Sequence, residues 1–256
     1  YSTRHGVVRL LSDVRLTLST PLPCHQTNGT FEPLMLTSSS LEFRRSDLTI
    51  RLHAPVAARQ NSKSLQAGEL AIEMDRHLRA RRIVADGAPR LRSAESDGTF
   101  ELTAEKLTAA FGPTGLLDGM TAEGRVRGSY RPAAPANSKD EDRLAADRAE
   151  LEMQPGRGIG RSVLLSGNVL VERERKEDAQ RLETSQLELI FSAASTPQSW
   201  QLERGEMPAS ALILWKNATQ STQVDAQRLT TFFSARGQVR ELRGQSGVEV
   251  QRRIGA

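Results

Sequence analysis

The sequence has few aromatic residues and a single cysteine. Phe, Trp and Tyr make up 4% of the 256 residues, so a compact globule would have few large side chains to anchor its core. Cys24 can form no disulfide within the chain and has no evident His partner. No run approaches the roughly eighteen apolar residues of a transmembrane helix. The single cysteine therefore disfavours a disulfide scaffold and a thiol enzyme, and the lack of a long apolar run disfavours a transmembrane helix.

A surplus of charge of one sign is also missing. The chain carries 35 Lys and Arg against 31 Asp and Glu, and its mean hydropathy is -0.46. Basic and acidic residues alternate, as in Glu172-Arg173-Glu174-Arg175, which is typical of a solvated strand face. A nucleic-acid reader needs a basic face with aromatic stacking residues. We therefore expect no nucleic-acid partner.

The chain shows no pattern of catalytic or metal-binding residues. The four histidines have no Cys or His partner at metal-ligand spacing. The glycines of 156–160 lack both the dinucleotide-binding spacing and the Lys-Ser or Lys-Thr pair of a phosphate loop, so a tight turn is the better interpretation. We predict no enzymatic activity, no cofactor and no metal.

One pattern recurs six times along the chain. An apolar residue is followed by a spacer, a small residue, two further spacers and an anchor residue, after which apolar residues alternate. The drift in the spacing of the anchors, 29 to 42 residues, favours strands joined by loops of varying length over a helical array. The anchors are Leu41, Leu70, Leu107, Ala149, Leu187 and Leu229.

The strand assignment depends on comparing the copies. Thr103–Phe111 and Leu144–Met153 favour helix locally, but Thr184–Phe191 alternates at period two, and equivalent copies must share one backbone. The three-residue step after the small residue flips the side-chain parity, which predicts a bulge or a corner. A second pattern, a small residue followed by alternating apolar residues, closes most units, as at Gly124 and Gly167.

The predicted fold is therefore all-β and elongated, an antiparallel sheet built from stacked repeats over residues 1–256. Residues 20–33 and 131–143 are rich in turn-forming residues and predict surface loops. The second loop could also divide the domain into halves at 1–130 and 144–256.

The units, especially Leu144–Val171 with its Ser166-Gly167-Asn-Val169-Leu-Val171 ending, resemble the OstA-like repeat of lipopolysaccharide-transport proteins. That family comprises LptA, LptC and the periplasmic domain of LptD. The resemblance implies an antiparallel β-jelly roll, or β-taco, a periplasmic location in a Gram-negative cell and carriage of lipopolysaccharide acyl chains. The chain is longer than one such domain, which leaves open an LptA-like bridge, an LptC-like anchored protein or a fusion. Because the chain begins at Tyr1 rather than Met, we expect that a membrane anchor could precede it.

The alternating apolar residues after the small residue are the candidate lining of a lipid groove. The same residues would equally fill a closed, dry β-sandwich core. The predicted lining comprises Phe43, Leu70, Ile72, Met74, Leu107, Phe111, Leu151, Met153, Leu187, Leu189 and Phe191.

The predicted partners are lipopolysaccharide or a related glycolipid, an inner-membrane transporter, and homologous jelly rolls. A sheet stack exposes unpaired strands at its ends, so we expect head-to-tail association through strands near Val7–Leu18 and Val239–Val250. Two alternatives remain open. One is a β-solenoid scaffold that assembles end to end without lipid; the other, which is disfavoured, is a carbohydrate-active β-helix enzyme.

Overall fold

The computed structural model describes residues 2–4, 6–18, 33–133, 140–155, 159–175, 178–193, 200–234 and 239–254. These ranges contain nineteen strands and no helix, and the strands join one sheet through antiparallel pairings. The predicted all-β, antiparallel jelly-roll class is confirmed. A helix long and apolar enough to cross a membrane is absent from the described ranges.

The strands follow one another along the sheet largely in chain order. They are β1 (Ser2–Arg4), β2 (Val7–Leu18), β3 (Leu34–Arg44), β4 (Thr49–Gln60), β5 (Lys63–Met74), β6 (Ala80–Asp86), β7 (Arg90–Glu95), β8 (Gly98–Thr103), β9 (Lys106–Phe111), β10 (Leu117–Pro132), β11 (Glu141–Gln154), β12 (Ile159–Glu174), β13 (Asp178–Ala193), β14 (Trp200–Met207), β15 (Ala211–Asn217), β16 (Gln220–Ala226), β17 (Arg228–Phe233), β18 (Val239–Gln245) and β19 (Glu249–Ile254).

The sheet is divided lengthwise by a row of corners. In β3, buried side chains alternate at Leu34, Leu36 and Ser38, and then step by three residues to Leu41. The pairing registers of the long strands shift at the same level, for example between Thr37 and Ser40 in β3. The predicted corner after the small residue is therefore present.

The two sides of this row face each other across the core. We call them half A and half B. Half A comprises residues 14–18, 34–38, 56–60, 63–67, 90–95, 98–103, 127–132, 141–146, 169–174, 178–184, 211–217, 220–226 and 249–254. Half B comprises residues 7–11, 40–44, 49–53, 69–74, 80–86, 106–111, 117–123, 148–154, 159–166, 186–193, 200–207, 228–233 and 239–245.

The six anchor residues lie in half B, directly after the corner. Five of them belong to one continuous row of cross-strand neighbours that points into the core, and Leu229 pairs with Met207 further along. The row contains Leu41, Leu52, Leu70, Ala85, Leu107, Ala122, Ala149, Leu165 and Leu187. The sequence pattern thus marks one apolar column of the interior.

The second sequence pattern marks the corners of the returning chain. Gly124 and Gly167 have φ values of 74° and 71°, and the residue after each is also left-handed. Consecutive left-handed residues turn a strand sharply, as in type I′ turns. A Cβ at Gly124 would meet the Glu105 side chain, and one at Gly167 would meet Asp147. These corners therefore select glycine for both conformation and space.

The segments with local helix propensity form strands. Residues of Thr103–Phe111 belong to β9, and Leu144–Met153 lies within β11. Cross-strand pairing and burial of one face override propensity here. The loop predicted at 20–33 lies outside the described residues except for Pro33, and the loop at 131–143 is shorter than predicted, because β10 runs to Pro132 and β11 starts at Glu141. Division of the chain into halves there stays a prediction.

The outer face carries cross-strand ladders of Arg and Glu. Arg148, for example, contacts Glu123 and Glu150, each at 2.6 Å. These pairs are largely exposed, so each adds little to stability. The alternation of basic and acidic residues in the sequence is the signature of this solvated face.

Candidate functional site

The interior differs along the stack. Strands β3–β6, which we call the closed section, pack large apolar side chains tightly: Leu52 and Ile72 are fully buried, and Leu34, Leu36 and Leu70 are 1% exposed. Between strands β7 and β18, which we call the cavity section, several inward apolar side chains are only partly buried and line open volume. The halves therefore enclose a closely packed core in β3–β6 and accessible apolar space further along.

The first space, which we call the central cavity, has a volume of about 410 Å³. It extends from the corners, where Leu102 and Leu165 lie, toward the edge at Glu95 and Asp97. Its apolar lining comes from both halves: Leu91, Phe100, Leu102, Met120, Ala122, Leu144, Ala149, Leu151, Val163, Leu165 and Leu189.

The second space, which we call the C-terminal cavity, has a volume of about 260 Å³. Leu189 of β13 lines both cavities, so the two spaces meet at this side chain. The apolar lining of the C-terminal cavity consists of Val171, Leu182, Leu187, Leu189, Leu202, Met207, Ile213, Trp215, Phe233, Val239 and Leu242, together with Gly205.

The edge opposite the corners forms the mouth, and its two lips differ. On half A, charged and polar residues line the cavities, among them Tyr130, Asp142, Glu172, Arg173, Gln180 and Arg181. We call Tyr130, Asp142, Arg173 and the adjoining Arg175, which contacts Asp142, the polar lip. On half B, the corresponding positions are apolar, and we call Leu189, Leu202 and Phe233 the apolar lip. The mouth is therefore amphipathic across its width.

Hydrogen bonds organise the polar lip around Asp142. Its carboxylate accepts a hydrogen bond from Arg173 Nε at 3.1 Å, and Arg175 Nη2 lies 2.9 Å from Oδ1. Tyr130 Oη donates to the carbonyl oxygen of Asp97 at 2.9 Å. Burial raises the pKa of Tyr130, and the nearby Asp97 and Asp142 carboxylates act in the same direction. Tyr130 is therefore neutral and a hydrogen-bonding group at ordinary pH.

The structure distributes the predicted lining residues between the two environments. Leu151 lines the central cavity, Leu187 the C-terminal cavity, and Leu189 both. Phe191 lies two residues beyond Leu189, pairs with Leu202 and is half-buried. The other predicted residues pack in the core cluster that includes the closed section, namely Phe43, Leu70, Ile72, Met74, Leu107, Phe111 and Met153. Contact with lipid stays a prediction for the whole set.

The sequence prediction missed the contribution of half A. It used only the strands that follow the small residue, which form half B, and so omitted Phe100, Tyr130, Arg173 and Trp215. The signal was the period-two alternation in the half-A part of each long strand, as in Val169, Val171 and Arg173, which follow the corner at Gly167 in β12. Because residues two apart on a strand face the same side, a charged residue in step with the buried apolar ones also faces the interior.

The described residues contain no group of three or more His, Cys, Asp or Glu side chains that could hold a metal ion. His53 and His77 lie in the described part, at separate places, and His5 and His25 lie outside it.

Comparisons with known proteins give one structural similarity. No protein-family model matches the sequence, and no curated protein matches it. Among solved structures, the chain is similar to LptH of Pseudomonas aeruginosa, described as the LptA homologous periplasmic component of the conserved lipopolysaccharide transport device. The similarity has 10% sequence identity and a TM-score of 0.39, and it covers 51% of this chain and 81% of LptH.

Proposed function

We propose that the protein binds the acyl chains of lipopolysaccharide or a related glycolipid between the two halves of its folded sheet, without performing catalysis. The observation that carries this proposal is the pair of apolar cavities that meet at Leu189 and reach an amphipathic mouth. The volume of the central cavity, about 410 Å³, is within the range of small-ligand sites, and that of the C-terminal cavity, about 260 Å³, is slightly below it.

The driving force is the removal of hydrocarbon from water. Each buried methylene contributes roughly 0.8 kcal/mol, so about ten methylenes contribute on the order of 8 kcal/mol before the entropy of binding is subtracted. The apolar side chains of the cavities supply this shelter, and the polar lip allows a hydrated headgroup to remain at the mouth. An amphiphile fits this arrangement better than a wholly apolar ligand.

The proposed location and role rest on the resemblance of the repeated units to the OstA-like repeat. We propose that the protein acts in the Gram-negative periplasm, in a bridge that receives lipid from an inner-membrane transporter and passes it toward the outer membrane. The repeated strand-and-corner unit supports this role, since stacking such units extends one apolar interior along an axis.

Photocrosslinking tests the lipid proposal. A photoreactive phenylalanine analogue at Leu189 would lie at the junction of the cavities, whereas the same analogue at Glu188 would point to the opposite face of the sheet. We expect lipopolysaccharide adducts from position 189 in cell envelopes and none from position 188. Equal yields, or no adduct from either folded variant, would contradict the proposal.

A second candidate function, end-to-end assembly, is favoured by the ends of the sheet. Among the described residues, β19 pairs only with β16, β18 only with β17, and β2 is covered on its outer edge only at its first three residues, by β1. Apolar side chains are exposed at both ends, among them Leu11, Val250 and Ile254. Unpaired edges of this kind are templates for strand pairing with another chain.

The chain direction restricts how copies can join. Strand β2 runs from half B to half A, and so does the path from β18 to β19. If the corners of two copies are aligned, the end strands of one therefore meet β2 of the next in parallel. We propose this head-to-tail arrangement, with another copy or with a homologous jelly roll.

Cysteine crosslinking tests the assembly. In a Cys24→Ser background, the exposed residues Arg15 of β2 and Gln251 of β19 are replaced by cysteine in separate copies, and Arg161 on the outer face serves as control. We expect disulfide-linked pairs when Arg15→Cys and Gln251→Cys are mixed, and far fewer with Arg161→Cys. Assembly without lipid adducts at position 189 would favour a scaffold over a carrier.

A further inference from the structure

Arg173 is the group in the polar lip whose hydrogen-bonding capacity is least used. Its side chain lines the C-terminal cavity, where most of the surrounding groups are apolar. Its Nε donates to Asp142 at 3.1 Å, whereas its two Nη groups have no acceptor within the described part of the chain. A guanidinium group has five N–H donors, so four of them remain available at the cavity wall.

The neighbouring charges position Arg173 without neutralising it completely. Asp142 is shared, because Arg175 contacts the same carboxylate at 2.9 Å. Asp142 is therefore a positioning residue, which fixes the Nε side of Arg173 and leaves the opposite, Nη side for a ligand. The side chain of Arg173 is 39% exposed and that of Arg175 is 28% exposed, so Arg173 is the more accessible arginine.

We propose that Arg173 binds the phosphate headgroup of an amphiphile whose acyl chain occupies the C-terminal cavity. The proposal rests on the proposed function, since it assigns headgroup chemistry to the same cavity. Two Nη groups present the planar, two-pronged geometry that matches phosphate oxygens. The apolar lip opposite, with Leu202 and Phe233, directs the chain of the same molecule inward.

The geometry also fixes the orientation of the ligand. The headgroup would lie against half A, because the apolar lip offers no hydrogen-bond donors from its side chains. The chain would extend past Leu189 toward the central cavity, since this side chain borders both spaces. Free phosphate lacks the contribution of the chain, so we expect the site to bind it far more weakly than an alkyl phosphate.

Fluorescence of Trp215 provides the measurement. Trp215 lines the C-terminal cavity, and Trp200→Phe leaves it as the sole tryptophan of the two in the sequence. In this background the probes are dodecyl phosphate, neutral dodecyl maltoside and inorganic phosphate, the two amphiphiles being used below their micelle-forming concentrations. The variants are Arg173→Gln and the control Arg161→Gln, which removes an outer-face arginine from the same strand, β12.

We expect Arg173→Gln to weaken binding of dodecyl phosphate about tenfold or more, the loss typical of a charge-assisted hydrogen bond. Binding of dodecyl maltoside should change less than about twofold, because its headgroup is neutral and its chain keeps the same apolar contacts. Arg161→Gln should change neither, and inorganic phosphate should produce no response. Thermal melts verify that both variants are folded.

The outcomes separate this inference from the proposed function. If the parent protein binds both amphiphiles and Arg173→Gln weakens both equally, or neither, the headgroup assignment is wrong while the cavities still bind chains. If inorganic phosphate binds as tightly as dodecyl phosphate, the site recognises free phosphate and the inference is overturned. If neither amphiphile binds the parent protein, the proposed function is wrong and the inference fails with it.

Discussion

The closed section and the cavity section share one backbone plan but differ in what fills it. Both are two-halved, with a corner at the middle of each long strand. In β3–β6, large side chains such as Leu36 of half A and Leu52 of half B are almost fully buried in one core cluster. In the cavity section, small residues such as Ala149 and Gly205 occupy inward positions, and the neighbouring leucines border open volume. The two sections thus differ in side-chain packing rather than in topology.

An inward carboxylate should have opposite consequences in the two sections. Ile72→Asp buries an unpaired charge in the closed section, which costs several kcal/mol and unfolds a domain of ordinary stability. Leu189→Asp places the charge in the cavity near the mouth, so we expect the fold to persist and amphiphile binding to be lost. Circular dichroism melts and dodecyl maltoside titrations measure the two effects. If Leu189→Asp unfolds the protein as readily as Ile72→Asp, the two interiors do not differ.

Replacing an inward alanine with leucine should also affect the closed section and the cavity section differently. Ala85→Leu overpacks the closed section and should destabilise the protein by about 1–3 kcal/mol. Ala149→Leu occupies the same inward row of half B but borders the central cavity, so its cost should be below about 1 kcal/mol. Urea denaturation gives both values. Uptake of dodecyl maltoside should fall in Ala149→Leu, and unchanged uptake would show that the central cavity is not used.

The column of anchors could be predicted from the sequence because, in each copy, the anchor follows the small residue at the same spacing and faces the interior. Leu70 and Leu187 lie at equivalent positions in half B, as the pattern required. The same reasoning could not separate the closed section from the cavity section. Leu70 and Leu189 look alike in sequence, and the free volume beside Leu189 depends on neighbours distant in the chain, such as Gly205 and Trp215.

The polar lip was missed for a different reason. Arg173 belongs to a run of alternating Arg and Glu that reads as a solvated face. In β12, Leu165 and Val169 face the interior on the two sides of the corner at Gly167, and Arg173 continues this alternation, whereas Glu172 and Glu174 have the opposite parity. A corner preserves the parity in β12 but reverses it in β3, so charge patterns need to be read separately on its two sides in each strand.

Corner substitutions should show that the two sections share their backbone. Gly87 borders the closed section and has a φ of 79°, and Gly167 in the cavity section has a φ of 71°. Gly87→Ala would place a Cβ 2.9 Å from Gly68 Cα, and Gly167→Ala would place one against Asp147. Each change should cost about 1–2 kcal/mol, because alanine is strained in the left-handed region. Chemical denaturation measures both, and a large inequality would mean that the corners are not equivalent.

The smallest expected effect concerns acid stability, which should be alike in the closed section, which contains Glu42, and in the cavity section, which contains Glu141. Glu42 accepts hydrogen bonds from Arg44 at 2.6 Å and Arg9 at 3.0 Å, and Glu141 accepts them from Arg143 at 2.8 Å and Arg131 at 3.0 Å. The hydrogen bond from Arg44 is the main cause that lowers the pKa of Glu42. Burial acts to raise the pKa of Glu141, but the hydrogen bonds from Arg143 and Arg131 outweigh it and the net pKa is lowered.

A carboxylate whose pKa is lower in the folded state stabilises the protein above the pKa of the unfolded chain, and this contribution is lost as the pH falls through the folded value. Glu42→Gln and Glu141→Gln should therefore each lower the Tm slightly at pH 7. The difference from the parent protein should shrink as the pH falls below about 4.3, the ordinary pKa of a glutamate. Thermal melts from pH 7 to pH 3 test this dependence. A Tm difference that stays constant to pH 3 would show that the two glutamates act through packing. A pH dependence confined to Glu141 would show that the two sections differ in their outer faces as well as in their interiors.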